Sequence, residues 1–80
     1  MAEITGMTEL QQMNLDILRI VQNDTAAAQK AIGFIQGSKL NYELFKDQYS
    51  LAISEPTPVA RTEKAIREAK EALDLFTVGV

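Results

Sequence analysis

Val59, Thr62, Ile66, Ala69, Leu73 and Phe76 follow one another at intervals of three, four, three, four and three. That alternation puts all six on one stripe of an α-helix, a heptad-like seam that other helices or another chain must cover. Its start is marked as well, because the Thr57 hydroxyl can cap free amides and Pro58 suits the first helical position. A helix from about Pro58 to Phe76 is therefore the strongest local constraint in the chain. Around the seam, Glu63 with Arg67, Lys64 with Glu68, Arg67 with Glu71 and Lys70 with Asp74 are spaced i, i+4. This predicts a solvated face laced by ion pairs worth about 0.2–0.5 kcal/mol each. The tail Thr77-Val78-Gly79-Val80 is expected to fray unless its valines dock.

The same 3.6-residue period recurs upstream, with no sustained apolar/polar alternation and no Asn-Gly or Asp-Gly hairpin turn. A first helix opens at Thr8, with Gln11 completing a capping box and Met7 placed to staple it. Leu10, Met13, Ile17, Ile20 and Val21 form its stripe, Leu18 lies beside that stripe and Leu15 lies off it. Asn23-Asp24-Thr25 interrupts the pattern, because these side chains compete for backbone hydrogen bonds inside a helix. A second helix then runs from Thr25 or Ala26 to about Gln36, the alternative being one unbroken helix from Thr8 to Gln36. Gly37-Ser38 predicts a left-handed C-terminal cap followed by a new N-cap. A third helix, about Lys39 to Ile53, gathers Tyr42, Phe45 and Tyr49 on one face as core. It stops before Ser54-Glu55-Pro56-Thr57-Pro58, where the prolines hold their preceding residues extended. The expected fold is all-α: a small bundle of four helices, or three if the first two fuse, forming a single domain over residues 1–80. A chain of this size can bury about 60% of its unfolded surface, enough for a modest core.

Composition then limits what such a bundle can do. The chain has no histidine and no cysteine. That excludes a disulfide framework, a thiol nucleophile, imidazole and thiolate metal ligands, and the one side chain that titrates near neutrality unaided. No calcium loop or phosphate-cradling glycine loop is present, and a Glu-x-x-His metal motif is impossible. Ser38 stands next to Lys39, the wrong geometry for a serine–lysine pair at a helix start. The acids of the last helix each have a base four positions away, as on a solvated face. The expectation is a non-enzymatic protein with no cofactor and no metal.

Eight Lys and Arg against eleven Asp and Glu give a net charge of −3, which disfavours a nucleic-acid partner through long-range repulsion of phosphate. No apolar run approaches the roughly 20 residues of a membrane span. Met1-Ala2-Glu3-Ile4 lacks the basic and apolar regions of a signal peptide. A cytoplasmic protein without membrane association is expected. Hydrophobic residues make up 46% of the chain, and Leu15, Phe34, Leu51 and the tail valines must either join the core or meet a partner. Small helical chains often complete their cores by association. The expected mode of action is contact with a protein partner or a homodimer, through a face comprising Val59, Ile66, Ala69, Leu73 and Phe76. The alternative is a helix-turn-helix DNA-binding regulator built from Gln29 to Gln36, the turn at Gly37-Ser38 and the segment Lys39 to Ser50. Lys39, Asn41, Lys46 and Gln48 are of types that contact phosphates and bases. Against it, Glu43 and Lys46 fall where apolar packing is needed, and Glu43 and Asp47 cancel Lys39 and Lys46 in charge.

Met13-Asn14-Leu15-Asp16-Ile17-Leu18-Arg19-Ile20-Val21-Gln22-Asn23-Asp24, then Ala26-Ala27-Ala28-Gln29-Lys30-Ala31-Ile32-Gly33-Phe34-Ile35, and later Phe45-Lys46-Asp47-Gln48-Tyr49 resemble short proteins of temperate enterobacterial phages and prophages, the DUF2560 family. The resemblance covers residues 8–50 and contains no catalytic motif. It implies a bacterial host cytoplasm and an accessory role in a phage or prophage, and it assigns no functional residue.

Overall fold

Thr8 is extended (φ −84°, ψ 166°) and begins the first helix as its cap. Its hydroxyl accepts from the Gln11 amide at 3.1 Å, and Gln11 Oε1 accepts from the Thr8 amide at 3.0 Å, so two otherwise orphaned donors are satisfied reciprocally. The computed structural model describes residues 8–38 and 40–78, and the side chains of all of these except 38 and 76–78. Four helices follow in order: α1 Glu9–Ile20, α2 Thr25–Ser38, α3 Tyr42–Leu51 and α4 Pro58–Val78. No strand occurs among the described residues, and the fold is the all-α, four-helix form. The Met7 staple lies outside the described residues.

The break between α1 and α2 excludes the fused alternative. Asn23 N donates to Leu18 O at 2.8 Å and Gln22 N to Arg19 O at 3.0 Å, the paired bonds of a Schellman closure. Gln22 and Asn23 both take left-handed φ, 62° and 63°. Glycine usually occupies such positions because side chains there are strained. Asp24 then starts the next helix, its Oδ1 accepting from Ala27 N at 3.0 Å.

Three expected boundaries are corrected. Gly37 and Ser38 do not cap and restart the chain; α2 continues over both, and Gly37 has no left-handed φ. The third helix begins at Tyr42, not Lys39, which itself lies outside the described residues. Asn41 is its cap, with Oδ1 accepting from Glu43 N at 2.7 Å and Leu44 N at 3.2 Å. The shift has a packing reason: Leu40 is buried, and its burial uses the residue that would otherwise open the helix. At the far end α3 stops at Leu51, two residues short of the expected end at Ile53, which is exposed, and Ala52 is its cap.

The start of α4 is as expected, with Thr57 Oγ1 accepting from Ala60 N at 3.1 Å. Thr62, Ala65, Ile66 and Ala69 of α4 are sealed against α2 and α3, while α1 packs on α2. The buried Thr62 hydroxyl donates to Pro58 O at 2.8 Å, so the only polar member of the seam leaves no unpaired donor. The core is contiguous: Ile17 and Val21, then Ala27, Ala28, Ala31 and Ile35, then Leu40, Phe45 and Tyr49, then the α4 residues. Phe45 and Tyr49 form a tilted ring pair 5.9 Å apart, and Tyr42 packs half-buried against the same core. Lys30 pairs with Glu63 near one end of the α2–α4 contact and Phe34 lies under Lys70 further along both, so these helices run in the same direction. Arg61 ties the ends together: its Nε donates to Glu55 O at 2.9 Å and its guanidinium reaches Gln22 Oε1 at 3.2 Å.

In urea denaturation followed by circular dichroism, Phe45→Ala is expected to cost about 3–5 kcal/mol, since a fully enclosed ring leaves a cavity. Asp24→Ala is expected to cost about 1 kcal/mol through loss of the cap. Leu51→Ala, at an exposed position, is expected to stay within about 0.5 kcal/mol of the parent.

Candidate interaction surface

The residues expected to meet a partner through the α4 seam are largely occupied within the chain itself. Ile66 and Ala69 are buried in the core, Val59 and Leu73 are partly buried against it, and the Phe76 side chain lies outside those described. The last two tail residues, Gly79 and Val80, are also outside the described residues. The apolar surplus shows elsewhere. Leu51, Ile53 and Leu75 are 74%, 62% and 76% exposed, and Leu10 and Leu15 stand out from α1. Single exposed apolar side chains are ordinary. Phe34, by contrast, is packed against the core.

The charge pattern of α4 is arranged differently from the sequence expectation. None of the four i, i+4 pairs closes to ion-pair distance. Glu63 instead reaches across to Lys30 of α2 at 3.2 Å, and Lys64 to Glu55 of the α3–α4 connection, also at 3.2 Å. Arg67 touches only its neighbour Glu68, at 4.0 Å. Glu71 and Asp74 have no ion-pair partner among the described residues. Tertiary neighbours outcompete helix neighbours for Glu63 and Lys64 because both sit at the flanks of α4, within reach of other elements.

Between α2 and α4 these side chains surround a groove of about 460 Å³, with Phe34 and Ile66 contributing apolar surface and Lys30, Glu63, Arg67, Lys70, Glu71 and Asp74 the charged walls. Lys70 Nζ stands 5.4 Å from the centre of the Phe34 ring, a cation–π contact that holds the ammonium over the apolar floor. An adjoining hollow is lined by Gln29, Lys30, Gly33, Phe34 and Gly37. Sequence reasoning missed this face because Phe34 is one ring at a single position, with no periodic signal, and its charged neighbours come from two helices. The spacing of Gly33 and Gly37 was visible, but not that both would face outward.

A second polar cluster joins α1 to α3. Asp16 Oδ1 accepts from Gln12 Nε2 at 3.3 Å and lies 3.8 Å from Arg19. Lys46 Nζ sits 4.9 Å from the Tyr42 ring centre and pairs with Glu43 at 3.3 Å. Partial burial, followed by the negative charge of Asp16, raises the Tyr42 phenol above its ordinary pKa. The hydrogen bond to Glu43 raises the Lys46 ammonium above its own. Elsewhere, the Tyr49 hydroxyl and Asn14 Oδ1 are buried with no hydrogen-bond partner among the described residues.

Of the residues named for a DNA-reading unit, Asn41 is engaged as a cap, Lys46 is paired with Glu43, and Lys39 is outside the described residues. Both α2 and α3 make their main packing with α4. Among the described residues no group of three or more acids is placed to hold a metal ion, and no helix is long and apolar enough to cross a membrane.

Comparison with known proteins adds two matches. The family model described as "Protein of unknown function (DUF2560)" matches residues 5–76. A protein of Salmonella phage P22, described as an uncharacterized 9.0 kDa protein in the gp15–gp3 intergenic region, is 44% identical over 79 residues, 99% of each chain. No solved structure matches the chain.

Two measurements check this polar and buried geometry. Both shifted groups favour their protonated forms in the fold, so their stabilisation is present below the ordinary pKa values, about 10 and above, and is lost as the pH rises through the raised folded-state values. Unfolding free energy is expected to decline above about pH 10, and Tyr42→Phe to flatten that decline. Tyr49→Phe removes a buried hydroxyl that makes no hydrogen bond among the described residues and is expected to leave the melting temperature unchanged or raise it.

Proposed function

Because the chain belongs to the DUF2560 family of proteins of unknown function, we propose that it is a phage or prophage accessory protein that acts in the bacterial host cytoplasm, by contact with another protein or with itself and not by catalysis. The likeness to a phage P22 protein along nearly the whole chain supports the phage setting. The observation that carries the mode of action is the α2–α4 groove. An apolar floor at Phe34 and Ile66, walled by charges of both signs, offers a partner both buried area and orientation. Chemistry has far less to work with. Imidazole and thiol are missing from the whole chain, and the acids and bases of the groove stand on an open helical surface instead of flanking an enclosed reaction site.

The helix-turn-helix reading draws no comparable support. Its turn glycine lies inside α2, and its most base-competent side chain, Asn41, spends its oxygen on two backbone amides.

Affinity capture of the tagged chain from phage-infected host cells, read by mass spectrometry, is expected to enrich a protein in near-stoichiometric amount. A chain that captures nothing and also stays monomeric at high concentration would overturn the reading. A gel-shift titration at low salt, where electrostatic binding is strongest, is expected to show no retardation of duplex DNA. Retardation at about micromolar protein would transfer the case to nucleic acid.

A further inference from the structure

We propose that the α2–α4 face docks a second copy of this chain, antiparallel, with Arg67 and Lys70 of each copy meeting Asp74 and Glu71 of the other. This rests on the reading that the protein works by protein contact, and it names the occupant of the groove.

Two independent features lead there. The first is the pair of glycines in α2. Gly33 and Gly37 lie four apart inside the helix, neither has a left-handed φ, and a Cβ added at either would meet nothing within 4 Å. Glycine weakens a helix relative to alanine, and among the described residues neither backbone nor packing gives a reason to use it at either place. An element approaching from outside does, because two missing side chains leave a flat strip beside the Phe34 ring.

The second feature is the order of charges along the groove wall. Arg67, Lys70, Glu71 and Asp74 read basic, basic, acidic, acidic. Reversed end to end, the pattern is the same with every sign inverted. A two-fold axis crossing α4 between residues 70 and 71 therefore sets 67 against 74 and 70 against 71, four opposite-charge pairs in all. Glu71 and Asp74 are uncommitted among the described residues, and Arg67 makes only a marginal contact with Glu68. Because α2 runs parallel to α4, with Phe34 under Lys70 and Lys30 paired to Glu63, the same axis crosses α2 within the stretch from Phe34 to Gly37. It brings Phe34 of one copy to within a turn of Gly37 of the other, where the absent side chain leaves room for the ring. Such an interface is isologous and closes on itself as a dimer. The exposed charge pairs contribute little energy individually. Their role is register and direction, while the Phe34 and glycine surfaces supply the apolar contact. A foreign partner would have to reproduce this inverted order of charges; a second copy carries it already.

Sedimentation equilibrium of the full chain, from micromolar to millimolar concentration, tests the proposal. The parent is expected to reach twice the monomer mass. An all-acidic face (Arg67→Glu with Lys70→Glu) and an all-basic face (Glu71→Lys with Asp74→Lys) are each expected to stay monomeric, and their equimolar mixture to form a heterodimer. Gly37→Leu is expected to weaken the parent dimer at least tenfold without lowering the melting temperature, since its side chain points into open space. A parent that is monomeric throughout, single-face variants that still dimerise, or a mixture that does not associate would each overturn the proposal. Circular dichroism on every variant verifies that helicity is kept. Capture of a host or phage protein by a strictly monomeric chain would leave the broader reading in place and remove this one.

Discussion

Thr62, Ala65, Ile66 and Ala69 are closed off from water along a helix otherwise ringed with charge, and α4 cannot satisfy that stripe alone. It needs cover on two sides, which α2 and α3 supply. The small side chains set how closely the cover fits. Ala27, Ala28 and Ala31 on α2, with Ala65 and Ala69 on α4, keep the contact surfaces flat and allow the axes to approach. The larger core side chains are Phe45 and Tyr49 from α3, Ile17 and Val21 from α1 and its closing turn, and Ile35, Leu40 and Ile66. A small core depends on each of them, as expected for a chain whose surface is large relative to its volume.

Cover on α4 also requires the chain to reverse sharply after α1, within the span from Val21 to Asp24. The reversal places Gln22 and Asn23 in left-handed conformations that glycine would adopt more easily. The cost is offset by two closing hydrogen bonds to α1, the Asp24 cap on α2 and the Arg61 contact to Gln22. Asp24 is thus a junction where one helix's closure and the next helix's opening share adjacent residues. At the other end of α2 the chain makes the opposite choice, using glycine where no turn is made.

Two glycines on an outward helical face and two non-glycines in a left-handed turn both run against local preference. The outward face lies beside a groove that combines aromatic surface with charges of both signs. Leu51, Ile53 and Leu75 are also exposed, at the end of α3, in the connection after it and on α4. A continuous surface provides both area and orientation.

The sequence by itself determined the helical class, the seam of α4, the Thr8 and Thr57 caps, and the chemistry the chain lacks, because each of these depends on local spacing or on residue type alone. The family was also legible, since whole segments of sequence carry it. The tertiary structure decided the rest. It drew Leu40 into the core and so moved the start of α3 to the residue after Asn41, and it closed α1 on Gln22 without a glycine signal. It took Glu63 and Lys64 from their helix neighbours and gave them to Lys30 and Glu55, and it turned most of the expected partner seam inward while leaving the Phe34 groove open. Each of these outcomes depends on which elements lie side by side. Burial and ion pairing between residues distant in the chain are properties of that arrangement, and no local pattern encodes them.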